Sequence, residues 1–170
     1  MDESFEQVFL REHAYVYRTL LRLGVPHRDV EDAMQEVFMA VHGKWASLDR
    51  DLPARPWLFA FAHRHAANYR RLRRHQRDWS AEPDRFASPD DPESAAQAEQ
   101  ERALVLEALE ALPDERRAVF VACELDGLLA VEVASALEIP VGTVHSRLRT
   151  ARAEFTLAAR RIMAQAGVGQ

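Results

Sequence analysis

The chain contains little cysteine, lysine or continuous apolar sequence, and each shortage excludes a class of protein. Cys123 is the single cysteine among 170 residues, which excludes a disulfide framework and a zinc site built from cysteines. The most apolar short run, residues 57–62, is far too short to span a bilayer. The acidic N-terminus, residues 1–4, lacks the basic and apolar parts of a signal peptide. We therefore predict a cytoplasmic protein with no direct membrane insertion.

Lys44 is the only lysine, so nearly all cationic side chains are arginines. The net charge of −5 argues against a nonspecific nucleic-acid binder. The charge is unevenly distributed, however. Residues 52–77 carry seven arginines and no acid, whereas residues 78–101 carry eight acids and one base. Because arginine binds phosphates and guanines through planar, bidentate contacts, the basic block is a candidate for nucleic-acid contact.

The spacing of apolar residues predicts an all-α protein made of two small helical domains. Residues 1–77 and residues 101–170 each contain several stretches with apolar side chains at helical intervals. Residues 78–100 are rich in acids and contain three prolines, and most of them lack large apolar side chains, which predicts a flexible acidic linker. No strand pattern and no internal repeat stand out.

Local signals predict where several helices begin and end. Ser4 and Gln7 have the spacing of a capping box at the start of the first helix, and Gly24 is expected to end it. In the second domain, Pro113 ends one helix and Asp114 is predicted to cap the next.

The segment from Leu129 to Leu148 has the pattern of a helix-turn-helix. A short amphipathic helix ends before Pro140, and Gly142 and Thr143 open a second helix, with the Thr143 hydroxyl as its predicted cap. Recognition helices present their N-terminal residues to base edges. The candidate DNA-contacting residues are Thr143, His145, Ser146, Arg147, Arg149 and Arg152. A plain helical hairpin with solvated arginines is the alternative.

The third predicted helix of the first domain, residues 55–76, is strongly basic. Arginines interleaved with aromatic side chains suit phosphate contact together with stacking on unpaired bases. The residues concerned are His63, Arg64, His65, Asn68, Tyr69, Arg70, Arg71, Arg73, Arg74 and Arg77. The alternative is a solvated basic helix end, which the helix dipole favours in any case.

The second predicted helix carries a polar face. Asp32, Gln35 and Glu36 follow one another at i, i+3 and i+4, so they lie on one side of a helix. Phe38 belongs to a neighbouring apolar stripe. This pattern indicates either a protein-docking face or an ordinary amphipathic helix.

The sequence predicts no metal site, no cofactor and no enzymatic activity. His63 and His65, the closest pair of the seven histidines, lie about 200° apart around a helix, so they cannot share one ion there. The acidic residues of the second helix have no histidine partner at a useful spacing for acid–base work.

Taken together, these motifs resemble the extracytoplasmic-function (ECF) sigma factors of the sigma-70 family. Residues 5–77 resemble family region two, and residues 102–162 resemble region four. Four motifs carry the resemblance: D-x-x-Q-E-x-F at 32–38, P-W-L-F at 56–59, L-x-x-L-P-x-x-x-R at 109–117, and E-V-A at 132–134 followed by I-P-V-G-T-V-x-S-R-L at 139–148.

The resemblance implies a protein that binds core RNA polymerase and directs promoter-specific transcription initiation. The residues that would dock on the β′ clamp helices are Asp32, Gln35, Glu36 and Phe38. The residues that would bind and open the minus-10 promoter element are Trp57, Arg64, Asn68, Tyr69, Arg70, Arg71, Arg73 and Arg74. The second helix of the helix-turn-helix would read the minus-35 element. Further implied partners are the β subunit and an anti-sigma factor.

This sequence departs from the family pattern at several positions. Arg64 stands where asparagine is frequent, His145 replaces a lysine or arginine, and Thr150 replaces another arginine. Leu129 stands where a polar capping residue is usual, so the first helix of the motif is expected to begin later or to be capped by Asp126.

A conventional helix-turn-helix regulator with an N-terminal sensor or dimerisation domain is the alternative function. It accounts for the C-terminal half, but it gives no role to the basic helix or to the face around Asp32.

Overall fold

The computed structural model describes residues 3–49, 51–74 and 92–167, and over these residues the all-α prediction is confirmed. Side chains of residues 74 and 92–95 lie outside the described part. The elements are α1 (Phe5–Arg22), α2 (His27–Gly43), a 3₁₀ turn (Trp45–Ser47), α3 (Ala54–Arg74), α4 (Pro92–Glu110), α5 (Asp114–Phe120), a π-helical turn (Val121–Leu125), α6 (Ala130–Leu137) and α7 (Val141–Gly167). No helix within these ranges is long and apolar enough to cross a membrane.

Helices α1, α2 and α3 form the first domain around a shared apolar core. Val16, Leu20, Val37 and Phe59 are among its fully enclosed side chains. The predicted capping box is confirmed: Ser4 Oγ accepts a hydrogen bond from the Gln7 amide (3.3 Å), and Gln7 Oε1 accepts one from the Ser4 amide (2.9 Å). These bonds satisfy amide groups that the first turn of a helix leaves free.

Helices α4 to α7 form the second domain, and α4 begins earlier than the predicted domain boundary. Residues 92–100, assigned from sequence to the end of the flexible linker, are helical. Residues 78–91 of that linker lie outside the described residues.

Three predicted caps in the second domain are wrong. The residue that precedes α5 is Pro113, so Asp114 is the first helical residue and its side chain pairs instead with Arg70. Thr143 is the third residue of α7 and cannot precede it. Helix α6 begins without delay at Ala130. The amide of Leu129, the residue before α6, donates to the side chain of Glu132 in the first turn of that helix and not to Asp126.

The turn between α6 and α7 is made by a residue in the left-handed region. Glu138 has φ +55°, and the amide of Ile139 reaches back to the carbonyl of Ala134 (3.0 Å). This is the usual way in which a helix is closed. Pro140 follows, and its carbonyl accepts hydrogen bonds from the amides of Thr143 (2.9 Å) and Val144 (3.2 Å) in the first turn of α7.

The two domains, which the sequence predicted to be joined by a flexible linker, pack against each other. The Asp126 side chain is only 1% exposed, and it accepts hydrogen bonds from Thr19 Oγ1 (3.0 Å) and Arg22 Nη1 (2.8 Å) of the first domain. The π-helical turn places Asp126 at this contact. The Asp126 amide closes the turn by donating to the carbonyl of Val121, five residues earlier. Arg117 reaches close to Gly24 (φ +94°), where an added Cβ would lie 2.6 Å from Nη1.

Protonation of Asp126 is expected to strengthen this domain contact. Burial raises the pKa of Asp126 above its ordinary 3.8, although Thr19 and Arg22 act to lower it. A pKa that is raised in the packed form means that the protonated carboxyl favours packing. This stabilisation is complete below the ordinary pKa and is lost as pH rises through the raised pKa. We therefore expect the average interdomain distance, measured by fluorescence energy transfer, to increase as pH rises above 3.8, the ordinary pKa of an aspartate. Asp126→Asn should flatten that profile, and an unchanged profile would contradict the assignment.

Candidate nucleic-acid and protein interfaces

Helix α2 presents a continuous exposed face to solvent. Asp32, Gln35 and Glu36 are exposed on it, as the sequence predicted. Met39 extends the face by one turn at i+7 from Asp32, and it is 73% exposed. We call these four residues the docking face. It combines two carboxylates and an amide with one large apolar side chain, a composition suited to a partner with both basic and apolar groups.

Phe38 does not belong to this face, which corrects the sequence-based assignment of a direct contact. Its side chain is buried in the first domain. Its ring meets those of Phe5 (6.3 Å between centroids) and Phe9 (4.8 Å) edge to face. Phe38 therefore anchors α2 from behind. Met39 was not among the residues predicted to dock, although its i+7 spacing from Asp32 places it on the same side of the helix.

The residues of α3 that are predicted to bind the minus-10 element differ in their exposure to solvent. Arg64, Asn68 and Arg71 are exposed, and Arg71 Nη2 donates to Asn68 Oδ1 (2.8 Å). Tyr69 and Arg73 are half-buried. The side chain of Arg74 lies outside the described residues.

Trp57 and Arg70 are half-buried and pack against other parts of the protein in this arrangement. The Trp57 indole packs edge to face on Trp45 (6.2 Å between centroids). The Arg70 side chain is 13% exposed, lies 3.3 Å from Asp114 Oδ1 and donates to the carbonyl of Leu23. Arg70 therefore contributes to the contact between the domains.

A cleft of about 230 Å³ lies between α2 and α3, where the docking face meets the basic helix. His65 Nε2 lies 3.3 Å from Glu36 Oε2 across it. The lining residues are Asp29, Asp32, Ala33, Glu36, His65, Asn68, Tyr69, Leu72 and Arg73. No group of acidic, histidine or cysteine side chains suited to a metal ion occurs in the described parts of the chain.

The N-terminal half of α7 has one side that faces solvent. Gly142, His145, Ser146 and Arg149 are exposed on it at i, i+3, i+4 and i+7. We call these four residues the recognition face. Thr150 is exposed beside it, and its hydroxyl donates to the carbonyl of Ser146 (3.2 Å).

Three residues predicted to contact DNA lie beside the recognition face rather than on it. Arg147 is 27% exposed, and its Nη2 lies 2.9 Å from Glu115 Oε2 of α5. Arg152 Nε donates to Glu124 Oε1 (2.9 Å) in the π-helical turn. Thr143 is half-buried. The structure thus favours His145, Ser146 and Arg149 as the central residues of the helix and places the others at its edges.

Comparison with known proteins assigns both domains to one family. Residues 8–77 match the model of sigma-70 region 2, and residues 102–155 match that of sigma-70 region 4. The chain is 31% identical over 155 residues to the ECF RNA polymerase sigma factor SigM of Mycobacterium tuberculosis, covering 89% of this chain and 75% of SigM. The chain belongs to the ECF sigma factors of the sigma-70 family. Its function is that of a sigma factor, which directs transcription initiation.

Other relatives agree with this assignment. The ECF RNA polymerase sigma-E factor of Escherichia coli K12 is 28% identical to this sigma factor over 162 residues, covering 89% of this chain and 84% of the relative. CnrH, solved in complex with the cytosolic domain of CnrY, superposes with a TM-score of 0.68 at 26% identity, covering 90% and 85% of the two chains. RpoE of Bartonella quintana, solved with the anti-sigma factor NepR, has a TM-score of 0.75 at 18% identity, covering 92% and 96%; this likeness concerns the fold.

Both halves of the chain match regions of the same family, so the alternative of a conventional regulator is not favoured. That alternative would need a sensor or dimerisation domain in the place where region 2 is found.

Proposed function

We propose that this sigma factor binds core RNA polymerase through the docking face of α2 and reads promoter DNA with α3 and α7. The docking face would bind the β′ clamp helices. The exposed residues of α3 would contact the minus-10 element, and the recognition face of α7 would enter the major groove at the minus-35 element. Polymerase carries out the chemistry, so the sigma factor is not itself an enzyme, and we propose that it acts in the cytoplasm.

The observation that carries this proposal is the recognition face. Helix α7 follows the α6 turn in the order of a helix-turn-helix, and its first three turns expose His145, Ser146 and Arg149 without pairing them to the protein's own acids among the described residues. Groups able to bond base edges are therefore presented from the N-terminal half of the helix, which is where such helices contact bases.

Run-off transcription with core polymerase and a promoter library tests the proposal directly. We expect transcripts only when the sigma factor is added, from promoters that share one minus-35 and one minus-10 element. Transcription that starts without sequence preference would contradict a promoter-reading role.

The separation of the DNA contacts predicts weak binding by the free protein. Each of the two helices contributes only a few phosphate contacts, and phosphate contacts provide much of the affinity for DNA. Holding both on polymerase raises their effective concentration. Arg70 would join the minus-10 contact only after the domains move apart, because it now lies between them.

Gly142→Ala tests whether DNA approaches the start of α7 closely. An added Cβ at Gly142 meets no protein atom within 4 Å, so the fold should tolerate it. Alanine should even stabilise the helix, by about 1 kcal/mol at most. We expect a loss of minus-35 binding of about three- to tenfold, equivalent to roughly 1 kcal/mol, from contact with the DNA backbone. The matched control is Gly167→Ala, at the far end of α7 and equally free of neighbours. If Gly142→Ala and Gly167→Ala bind minus-35 DNA equally well, the DNA does not approach the start of α7 closely.

An anti-sigma factor is a further proposed partner. CnrH, at 26% identity, was solved with the cytosolic domain of CnrY, and by analogy we infer that this sigma factor also binds a protein partner. The Bartonella quintana neighbour, of similar fold, was solved with an anti-sigma factor. The docking face and the recognition face are the surfaces that such a partner would have to cover to prevent transcription.

A further inference from the structure

Asp29, in the first turn of α2, gathers three donors on one carboxylate oxygen. Oδ2 accepts from the Tyr69 hydroxyl, from Arg73 Nη2 (2.9 Å) and from Arg28 Nε (3.2 Å). Two of these donors belong to α3 and are residues proposed to contact the minus-10 element. Asp29 itself lies on another helix and is absent from the motifs that identified the family.

The charge states of Asp29 and Tyr69 favour this arrangement at neutral pH. Partial burial acts to raise the pKa of Asp29, but the bonds from Tyr69 and Arg28 and the charge of Arg73 hold that pKa below its ordinary value. Burial and the Asp29 carboxylate raise the pKa of Tyr69. The carboxylate is therefore ionised while the phenol keeps its proton, so charge-assisted hydrogen bonds form.

These bonds restrict the orientation of two half-buried side chains, Tyr69 and Arg73. The Tyr69 hydroxyl is tied to α2, which limits the tilt of its ring. The Arg73 guanidinium lies over that ring, 5.2 Å from its centroid, and is tied to the same oxygen. The ring and the guanidinium both line the cleft between α2 and α3, beside the exposed Asn68. Asp29 is 26% exposed and lies outside the apolar core, so the core alone does not account for it.

We propose that Asp29 is a positioning residue for capture of the unpaired minus-10 strand. It holds the Tyr69 ring and the Arg73 guanidinium as a preformed surface on which a base stacks and a phosphate is paired, and it does not touch DNA. This inference rests on the proposed role of α3. Because Asp29 lies on α2, the helix that carries the docking face also sets the geometry of the DNA-binding side chains.

The test uses holoenzyme assembled with full-length variants. The first probe is a fluorescein-labelled single-stranded DNA covering the minus-10 element of a promoter selected in the run-off library. The second is a duplex covering only its minus-35 element. We expect Asp29→Ala to weaken binding of the single strand about fivefold, because part of one stacking contact is lost. Binding of the duplex should not change. Asp29→Asn still accepts a hydrogen bond from Tyr69 but pairs weakly with Arg73. Its affinity for the single strand should lie between those of wild type and Asp29→Ala. Glu31→Ala removes an exposed acid two residues away and should resemble wild type.

A double-mutant cycle separates positioning from general stability. Tyr69→Phe removes only the hydroxyl that Asp29 anchors. If Asp29 acts through Tyr69, adding Asp29→Ala to Tyr69→Phe should cost less than Asp29→Ala costs alone. Equal losses on the single strand and the duplex would show that Asp29 acts only on the stability of the domain. Fully additive losses would overturn its action through the Tyr69 hydroxyl.

The same data distinguish failure of this inference from failure of the proposed function. If Tyr69→Ala and Arg73→Ala bind the single strand as wild type does, the minus-10 role of α3 is wrong. If those two variants lose binding while Asp29→Ala does not, the role of α3 stands and the positioning role of Asp29 is overturned.

Discussion

Met39→Asp is expected to weaken the affinity of the sigma factor for core RNA polymerase at least about 30-fold, equivalent to roughly 2 kcal/mol. Met39 is the one large apolar side chain of the docking face, and most of its surface is open to solvent. Burying an aspartate there would leave a charge without a partner among carboxylates that already repel it. The affinity can be measured by fluorescence anisotropy with a labelled sigma factor.

The matched control for this prediction is Leu10→Asp. Leu10 is 69% exposed on α1 of the same domain and lies outside the docking face. It should keep wild-type affinity for polymerase. Neither side chain is part of the core, so both variants should retain the wild-type melting temperature. If Met39→Asp binds core polymerase as tightly as Leu10→Asp does, the docking face has been wrongly placed.

Arg149→Ala is expected to weaken promoter binding by holoenzyme by about 1–3 kcal/mol, or roughly 6- to 150-fold, with the loss concentrated at one position of the minus-35 element. Arg149 is on the recognition face and is exposed. A guanidinium that bonds a guanine edge discriminates strongly against other bases at that position. Binding assays on a set of single-base promoter variants would show the affected position.

Two other arginines provide the comparison. The sequence alone placed Arg147 among the candidate DNA-contacting residues. The structure pairs Arg147 with Glu115 at the edge of the face, so we expect Arg147→Ala to cost less than Arg149→Ala. Arg73→Ala should weaken binding with little dependence on promoter sequence, because its proposed contact is a phosphate. If the loss at Arg149 is equally independent of sequence, its base-reading role is wrong.

The fold was largely predictable because its signals are local. Caps and breaks such as the Ser4 capping box and Gly24 depend on residues within one helical turn, and the periodicity of apolar side chains then identifies the helices between them. Asp114 and Thr143 show the limit of such reasoning. Both are good capping residues, yet each lies inside its helix, because the residue before the helix is set by the preceding turn.

The binding faces were predicted less accurately because neighbouring residues differ by about 100° around a helix. An error of one position turns an exposed residue into a buried one. Phe38 and Met39 illustrate this, since the first is buried and the second is open to solvent. Arg147 and Arg149 differ in a similar way, because packing of α7 against α5 decides which side faces outward.

The contact between the domains had no signal in the sequence. It depends on Asp126 meeting Thr19 and Arg22, which are more than one hundred residues away along the chain. A single π-helical turn places that carboxylate, and such turns leave no clear pattern of composition. Pairings of this kind become visible only once the helices are assembled.

The most direct test of the account is equilibrium binding of a labelled duplex promoter to the sigma factor, with and without core polymerase, over a range of salt concentrations. The docking face and the two separated DNA-binding helices predict weak binding by the free protein. They also predict tight, promoter-specific binding with core polymerase, which Met39→Asp should weaken strongly and Leu10→Asp should preserve. Tight, sequence-specific binding by the free protein that polymerase does not change would contradict the account.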